Sequence, residues 1–258
     1  MAERGRKVRD AGGGCEVKPY WQSDDGAITV YHARWEDVHA AGLVGAADLV
    51  HADPVYGNGD DTRPGHVNGR PRKNTTGVKV GKARCYPRLA GNDRPFDPAP
   101  LLALDRPLVT WGANHYASRL PDSPSWLLWD KRDGTVPDDG SDAELAWTNL
   151  GGALRTFRHA WRGLARASET GTPHLHPTQK PKALCSFVMA RARLKPGALV
   201  FVPFLGSGPD LPAARAMGLR VVACDVEEWC CRTAIGRLHA ITPQAAAEPV
   251  GPLFAGLA

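Results

Sequence analysis

The chain has 258 residues, a net charge of +5 and a pI near 9.0, with 43% hydrophobic residues. That length suits one α/β domain with an insertion, large enough to bury its own core, and the modest basic excess permits a polyanionic partner without demanding one. The six cysteines, Cys15, Cys85, Cys185, Cys224, Cys230 and Cys231, form no CxxC pair and no ligand spacing. They support neither a zinc site nor a disulfide framework, and a reduced, cytoplasmic setting is expected with no metal. No apolar stretch approaches the roughly 20 residues of a membrane span, and the opening MAERGRKVRD lacks the apolar core of a signal peptide. A soluble chain with no membrane partner is expected.

Residues 1–16 are charged and Gly-rich and read as a flexible tail. A domain over 17–240 follows, with a second tail at 241–258. Ala27 to Tyr31 is a short strand by its β-branched content, Trp35 to Leu43 has helical spacing, and the apolar run from Ala46 to Ala52 is a strand ending at Asp53. From Gly57 to Arg94 the chain is polar, Gly-rich and basic, with Arg63, Arg70, Arg72, Lys73, Lys79, Lys82, Arg84 and Arg88. A structureless stretch of that length is functional or disordered, and a loop closing over the site and touching phosphates is expected. Pro107 to Gly112 and Ser125 to Trp129 are strands, Asp130 to Gly140 a loop, and Leu154 to Ala167 an amphipathic helix carrying several Arg. Gly171 to Lys180 is a polar loop whose His174 and His176 are read as solvated, not as metal ligands. Ala183 to Leu194 is a helix, Ala198 to Phe204 a strand, and Gly206-Ser207-Gly208 opens a helix to Met217. Arg220 to Cys224 is a strand with Asp225 at its tip, and a last helix spans about Glu227 to His239.

Asp53-Pro54-Val55-Tyr56 puts a carboxylate, a rigid carbonyl and an aromatic face at the carboxyl end of a buried strand. Two acceptors and a stacking surface can hold a planar ring bearing an amine. The later strand, Gly turn, helix, strand and acidic residue form a nucleoside-binding pattern on a doubly wound sheet, with Asp225 placed to accept ribose hydroxyls. A GxGxxG fingerprint is absent, which argues against a dinucleotide. If the strands ending at Asp53 and Phe204 are neighbours where the winding reverses, both sites face one crevice.

Asp53-Pro54-Val55-Tyr56-Gly57 resembles the DPPYG catalytic motif of the β-class DNA amino-methyltransferases, His176-Pro177-Thr178-Gln179-Lys180-Pro181 their HPTQKP segment, and Pro203-Phe204-Leu205-Gly206-Ser207-Gly208 their DPFxGSG loop. The likeness covers most of 17–240, and the catalytic motif precedes the cofactor loop, as in the permuted β arrangement. Trp129 to Arg132 and Glu144 to Asn149 resemble a phage-type branch with a short target-recognition segment, placed at about 130–172. The resemblance implies a doubly wound, mostly parallel α/β sheet of the Rossmann-like methyltransferase kind. It also implies S-adenosylmethionine as cofactor, double-stranded DNA as partner, and transfer to adenine N6 or cytosine N4, with adenine preferred. Asp53 and the Pro54 carbonyl would accept the amine hydrogens while Tyr56 stacks on a flipped base. Pro203, Phe204, Gly206, Ser207 and Gly208 would line the cofactor, Asp225 would take its ribose, and Thr178 and Lys180 its methionine end. A homodimer is compatible with this reading, and nothing identifies a restriction partner.

The pattern departs at Val55, which replaces a second Pro and frees an N–H, so weakened but not abolished catalysis is expected. It departs again at Val202, where the family carries an Asp that helps position the methionine amine. Asp210 in the first turn of the following helix would repel a methionine carboxylate if it pointed inward. A methyltransferase fold retained for DNA binding without turnover is the alternative of another class, and a methyltransferase acting on RNA or protein is a third.

Overall fold

A computed structural model describes residues 17–57, 66–67, 70–71, 86–87, 89–134, 141–162 and 165–240. Both expected tails and seven of the basic positions between 57 and 94 (Arg63, Arg72, Lys73, Lys79, Lys82, Arg84 and Arg88) lie outside the described residues.

The chain enters with β1 (Trp21–Gln22) and β2 (Ile28–His32), then α1 (Trp35–Ala40) and β3 (Leu49–Ala52). Two short strands, β4 (His66–Val67) and β5 (Arg70–Pro71), pair with each other within the basic stretch. After α2 (Ala99–Leu102) come β6 (Leu108–Trp111), β7 (Trp126–Asp130), β8 (Ala143–Thr148), β9 (Arg155–Arg158), β10 (Trp161–Arg162) and β11 (Ala165–Arg166). The last third is α3 (Lys182–Arg191), β12 (Leu199–Val202), α4 (Asp210–Ala216), β13 (Arg220–Asp225) and α5 (Glu228–Ala240).

The main sheet runs β1-β2-β13-β12-β3-β6-β8-β7-β9. From β2 to β6 every neighbouring pair is parallel, whereas β8 runs antiparallel to both β6 and β7. Winding proceeds outward from β12 to β13 on one side and from β3 to β6 on the other, so the switch point falls between β12 and β3. Their register, Val200 on Leu49 and Phe201 on Val50, brings the expected catalytic and cofactor strands side by side. The sheet is therefore doubly wound, mostly parallel and of the expected class.

Alternation along these strands supplies both faces of the core. Leu49, Val200 and Val202 pack with α3 and α4 residues such as Leu184 and Leu211, whereas Val50, Ala52 and Phe201 pack with Trp35 and Val38 of α1. Burial on both faces is what a central parallel strand requires, and it explains the near-continuous apolar runs.

The expected helix over Leu154 to Ala167 is not formed. Those residues make β9, β10 and β11, with β9 joining the sheet edge parallel to β7. Glu144 to Thr148, left without a secondary-structure assignment by sequence patterning, is a central strand. Leu154, Phe157 and Trp161 imitate a helical stripe, but pairing of Arg155 to Leu127 and stacking of Phe157 on Phe187, at 5.0 Å between centroids, decide the conformation. Tertiary pairing overrides local propensity here.

Candidate active site

The parallel strands release their carboxyl ends into a single cavity of about 1250 Å³. Asp53, Pro54 and Tyr56 line it from β3, Pro203, Phe204, Gly206 and Ser207 from β12, and Asp225 from β13, with Thr178 and Lys180 from the loop before α3. These residues, expected to face one crevice, come together there. Gly208 is the exception, since it faces away from the cavity and packs on α5. A Cβ there would lie 2.4 Å from that of Ala234, at a backbone φ of +63°. Its glycine is needed for helix packing as well as for the turn.

Asp53 is the centre of a buried charge cluster. Its carboxylate receives the Lys180 ammonium at 2.7 Å and the Tyr56 hydroxyl at 2.9 Å. The same ammonium lies 3.0 Å from Glu144 Oε2, and Lys131 donates to Glu144 Oε1 at 3.1 Å. Burial raises the Asp53 carboxyl above its usual range, with Lys180 opposing. Burial alone would lower Lys180, but Asp53 and Glu144 outweigh it and hold the ammonium charged. Glu144, which burial would raise, is pulled down to about 2 by Lys180 and Lys131. The cluster therefore carries two anions and two cations, which is how charges tolerate a low-dielectric site.

Lys180, expected near a cofactor's methionine end, stands on the carboxylates of Asp53 and Glu144. Tyr56 stacks on His115 with centroids 4.9 Å apart and ring planes 15° apart, and its phenol is pushed well up by burial and the neighbouring Asp53 charge. Gly112 permits this arrangement, since a Cβ at its φ of +70° would lie 2.0 Å from the Tyr56 ring. Gly57 and Arg94, the two ends of the basic stretch, meet at the rim, where a Cβ on Gly57 would fall 1.8 Å from the Arg94 carbonyl oxygen.

The HPTQKP segment is a clasp, and His176 is not solvated as expected. It is 6% exposed and stacked on Trp229 at 5.1 Å. Burial, with the Lys180 and His174 charges, lowers it to about 4. The Thr178 N–H reaches its Nδ1 at 3.3 Å. Gln179 accepts the Leu175 N–H with its side chain and the Trp161 indole N–H with its carbonyl, both at 2.8 Å. Arg237, unmarked by any sequence signal, donates to the Lys180 carbonyl at 3.1 Å and to Ser207 Oγ at 3.0 Å, and pairs with Glu169 at 2.5 Å. One buried guanidinium thus ties α5 to the glycine loop and to the clasp.

At the other end of the cavity, Asp225 accepts the Gly206 N–H at 2.8 Å and the Glu227 N–H at 2.9 Å. A carboxylate has about four lone-pair positions, so it shapes the glycine loop and keeps capacity for ligand hydroxyls. Burial raises its carboxyl, and these backbone donors oppose the rise. His51, Cys185 and Asp210 form a further buried group in the cavity wall, their ligand atoms within 4.8 Å of one another. Asp210 points inward, against the sheet.

No protein-family model matches the chain. Among solved structures it is similar to the PvuII DNA methyltransferase, described as cytosine-N4-specific, at 11% identity over 89% of this chain and 93% of that one, with a TM-score of 0.55. It also matches M1.HpyAVI in its SAM complex, at 19% identity over 82% of this chain and 98% of that one, with a TM-score of 0.47. A putative DNA modification methylase from Thermus thermophilus, complexed with S-adenosyl-L-methionine, matches at 14% identity over 81% and 93% of the two chains, with a TM-score of 0.41. At 11% identity the likeness to the PvuII enzyme is one of fold, a Rossmann-like, mostly parallel α/β architecture.

Proposed function

We propose that the chain is an S-adenosylmethionine-dependent DNA methyltransferase acting on the exocyclic amine of a base in double-stranded DNA, with adenine N6 as the target. The supporting observation is the junction of β3 and β12, which puts Asp53, Tyr56 and Lys180 in one cavity with Gly206 and Asp225. Asp225 retains acceptor capacity for a ribose. The Gly206 backbone, at φ +51° with no heavy atom within 3.8 Å of a built Cβ, leaves room for close approach of a nucleoside.

When bound, the cofactor supplies a methyl group on a sulfonium. The Asp53 carboxylate and the Pro54 carbonyl accept the two amine hydrogens and draw the nitrogen lone pair out of the ring. Each well-placed group of this kind contributes about 3 kcal/mol by meeting charge that develops on the nitrogen. Lys180 yields its place on Asp53 to the amine and stays anchored on Glu144. Tyr56 stacks on the flipped base, and the basic residues between Gly57 and Arg94 supply positive charge for the DNA backbone. Target recognition is assigned to the segment at about 130–172.

Cytosine N4 is the second reading, favoured by the description of the PvuII enzyme as cytosine-N4-specific. The retained Asp53, Lys180 and Glu144 charge cluster favours turnover over the reading as a DNA-binding relic. Transfer of labelled methyl from S-adenosylmethionine to unmethylated DNA, followed by digestion to nucleosides, tests the proposal. Label on N6-methyladenine supports it in full, label on N4-methylcytosine moves the target, and label quenched only by competing RNA moves the substrate class.

A further inference from the structure

The cavity wall holds a buried anion that the methyl-transfer steps do not use. Asp210 opens α4, is 5% exposed and lines the cavity beside Ser207. Its Oδ1 accepts a hydrogen bond from His51 Nδ1 at 2.5 Å, and His51 Nε2 in turn accepts the Trp111 indole N–H at 2.9 Å. An indole nitrogen only donates, so Nε2 carries a lone pair, the ring proton sits on Nδ1, and His51 is neutral. Asp210 is thus held by His51 and the neighbouring Cys185 thiol, both neutral donors that bring no positive charge to it. Among the described residues no lysine or arginine forms an ion pair with it. Buried carboxylates are normally matched by a cation, and the open side of this one is the ligand cavity.

Position narrows the choice of cation. Val202 of β12 lies on the sheet face that α3 and α4 cover, one residue past the paired Phe201 and Val50 as His51 is on β3. The carboxylate is carried into this part of the wall by the helix instead of the strand. A metal ion would need the ring nitrogens that Asp210 and Trp111 already engage. We propose that Asp210 is the counter-charge for the α-ammonium at the methionine end of S-adenosylmethionine, an assignment that rests on the methyl-transfer reading above. An ammonium is a compact charge with three donors, suited to the lone pairs that a carboxylate keeps beyond its bonds to a neutral, tautomer-locked His51 and to the Cys185 thiol.

Calorimetry with S-adenosylhomocysteine and its deaminated counterpart, in which hydrogen replaces the α-amine, tests this without any turnover. The parent is expected to bind the amine-bearing ligand about tenfold or more tightly. Asp210→Asn, close to isosteric and still able to accept from His51, should bring that ratio near one. It should also hold the deaminated ligand within about twofold of the parent. Circular dichroism checks folding, and Asp210→Ser takes its place if the Asn variant does not fold. Equal affinity of the parent for both ligands overturns the proposal, as does a variant that weakens both ligands alike or keeps the parent ratio. A parent that binds neither ligand overturns the cofactor reading and this inference with it.

Discussion

Replacing Lys180 by Met should move the acid limb of methyl transfer to higher pH. The Lys180 ammonium lies 2.7 Å from an Asp53 oxygen and opposes the burial that raises that carboxyl. At an effective dielectric near 20, opposite charges about 4 Å apart interact by about 4 kcal/mol. The Asp53 side chain is 27% exposed, so entering water screens part of this attraction, and losing the ammonium is expected to raise the carboxyl further. Glu144 keeps Lys131 as a partner and adds a like charge near Asp53, which pushes in the same direction. Asp53 accepts amine hydrogens only when ionised, so activity relative to its plateau should begin to fall at a higher pH in the variant than in the parent. The assay is the initial rate of labelled methyl transfer as a function of pH, with cofactor affinity measured calorimetrically on the same variant. A lower plateau with an unmoved acid limb would refute the argument and leave Lys180 a packing or cofactor residue.

Asp225→Ala should weaken cofactor binding by about 1–3 kcal/mol, the cost of a lost charged hydrogen-bonding group, and unchanged calorimetric affinity would move the ribose site elsewhere. Gly112→Ala forces a Cβ into the Tyr56 ring at φ +70°; transfer should fall by about 10²-fold, as for a misplacement near 1 Å, with cofactor affinity kept. His176 sits at about 4 in the folded chain against an ordinary 6.5. The unfolded chain therefore takes up this proton first, and stability should fall by up to about 3 kcal/mol as pH drops through that window. Denaturant unfolding of the parent and His176→Gln checks this, the variant giving the flatter profile.

The parts of the fold that could be read from sequence are those whose local pattern agrees with their tertiary setting. The apolar runs before Asp53 and Pro203, each closed by Pro or Gly, are buried strands because helices cover both faces of the sheet. Ala143 to Thr148 contains Ala, Glu and Leu, which are helix formers, and becomes β8 only because β6 and β7 flank it. The candidate site divides in the same way. Asp53, Tyr56, Gly206 and Asp225 belong to contiguous motifs. Glu144 reaches Lys180 only after β8 has been placed opposite Trp129 of β7, and Arg237 reaches Ser207 only after α5 has docked. Partners of that kind depend on register between distant segments, which no local spacing records. Trp129 to Arg132 and Glu144 to Asn149 drew notice through resemblance, and they supply Lys131 and Glu144 to the charge cluster.

The most direct test of the central claim compares the parent with Asp53→Ala for transfer of labelled methyl from S-adenosylmethionine to unmethylated double-stranded DNA, with cofactor affinity measured on both. The account predicts labelled DNA with the parent, none with Asp53→Ala, and similar cofactor affinity for the two. Equal labelling by both proteins would contradict the assignment of Asp53, and absence of label with a folded, cofactor-binding parent would contradict methyl transfer to DNA.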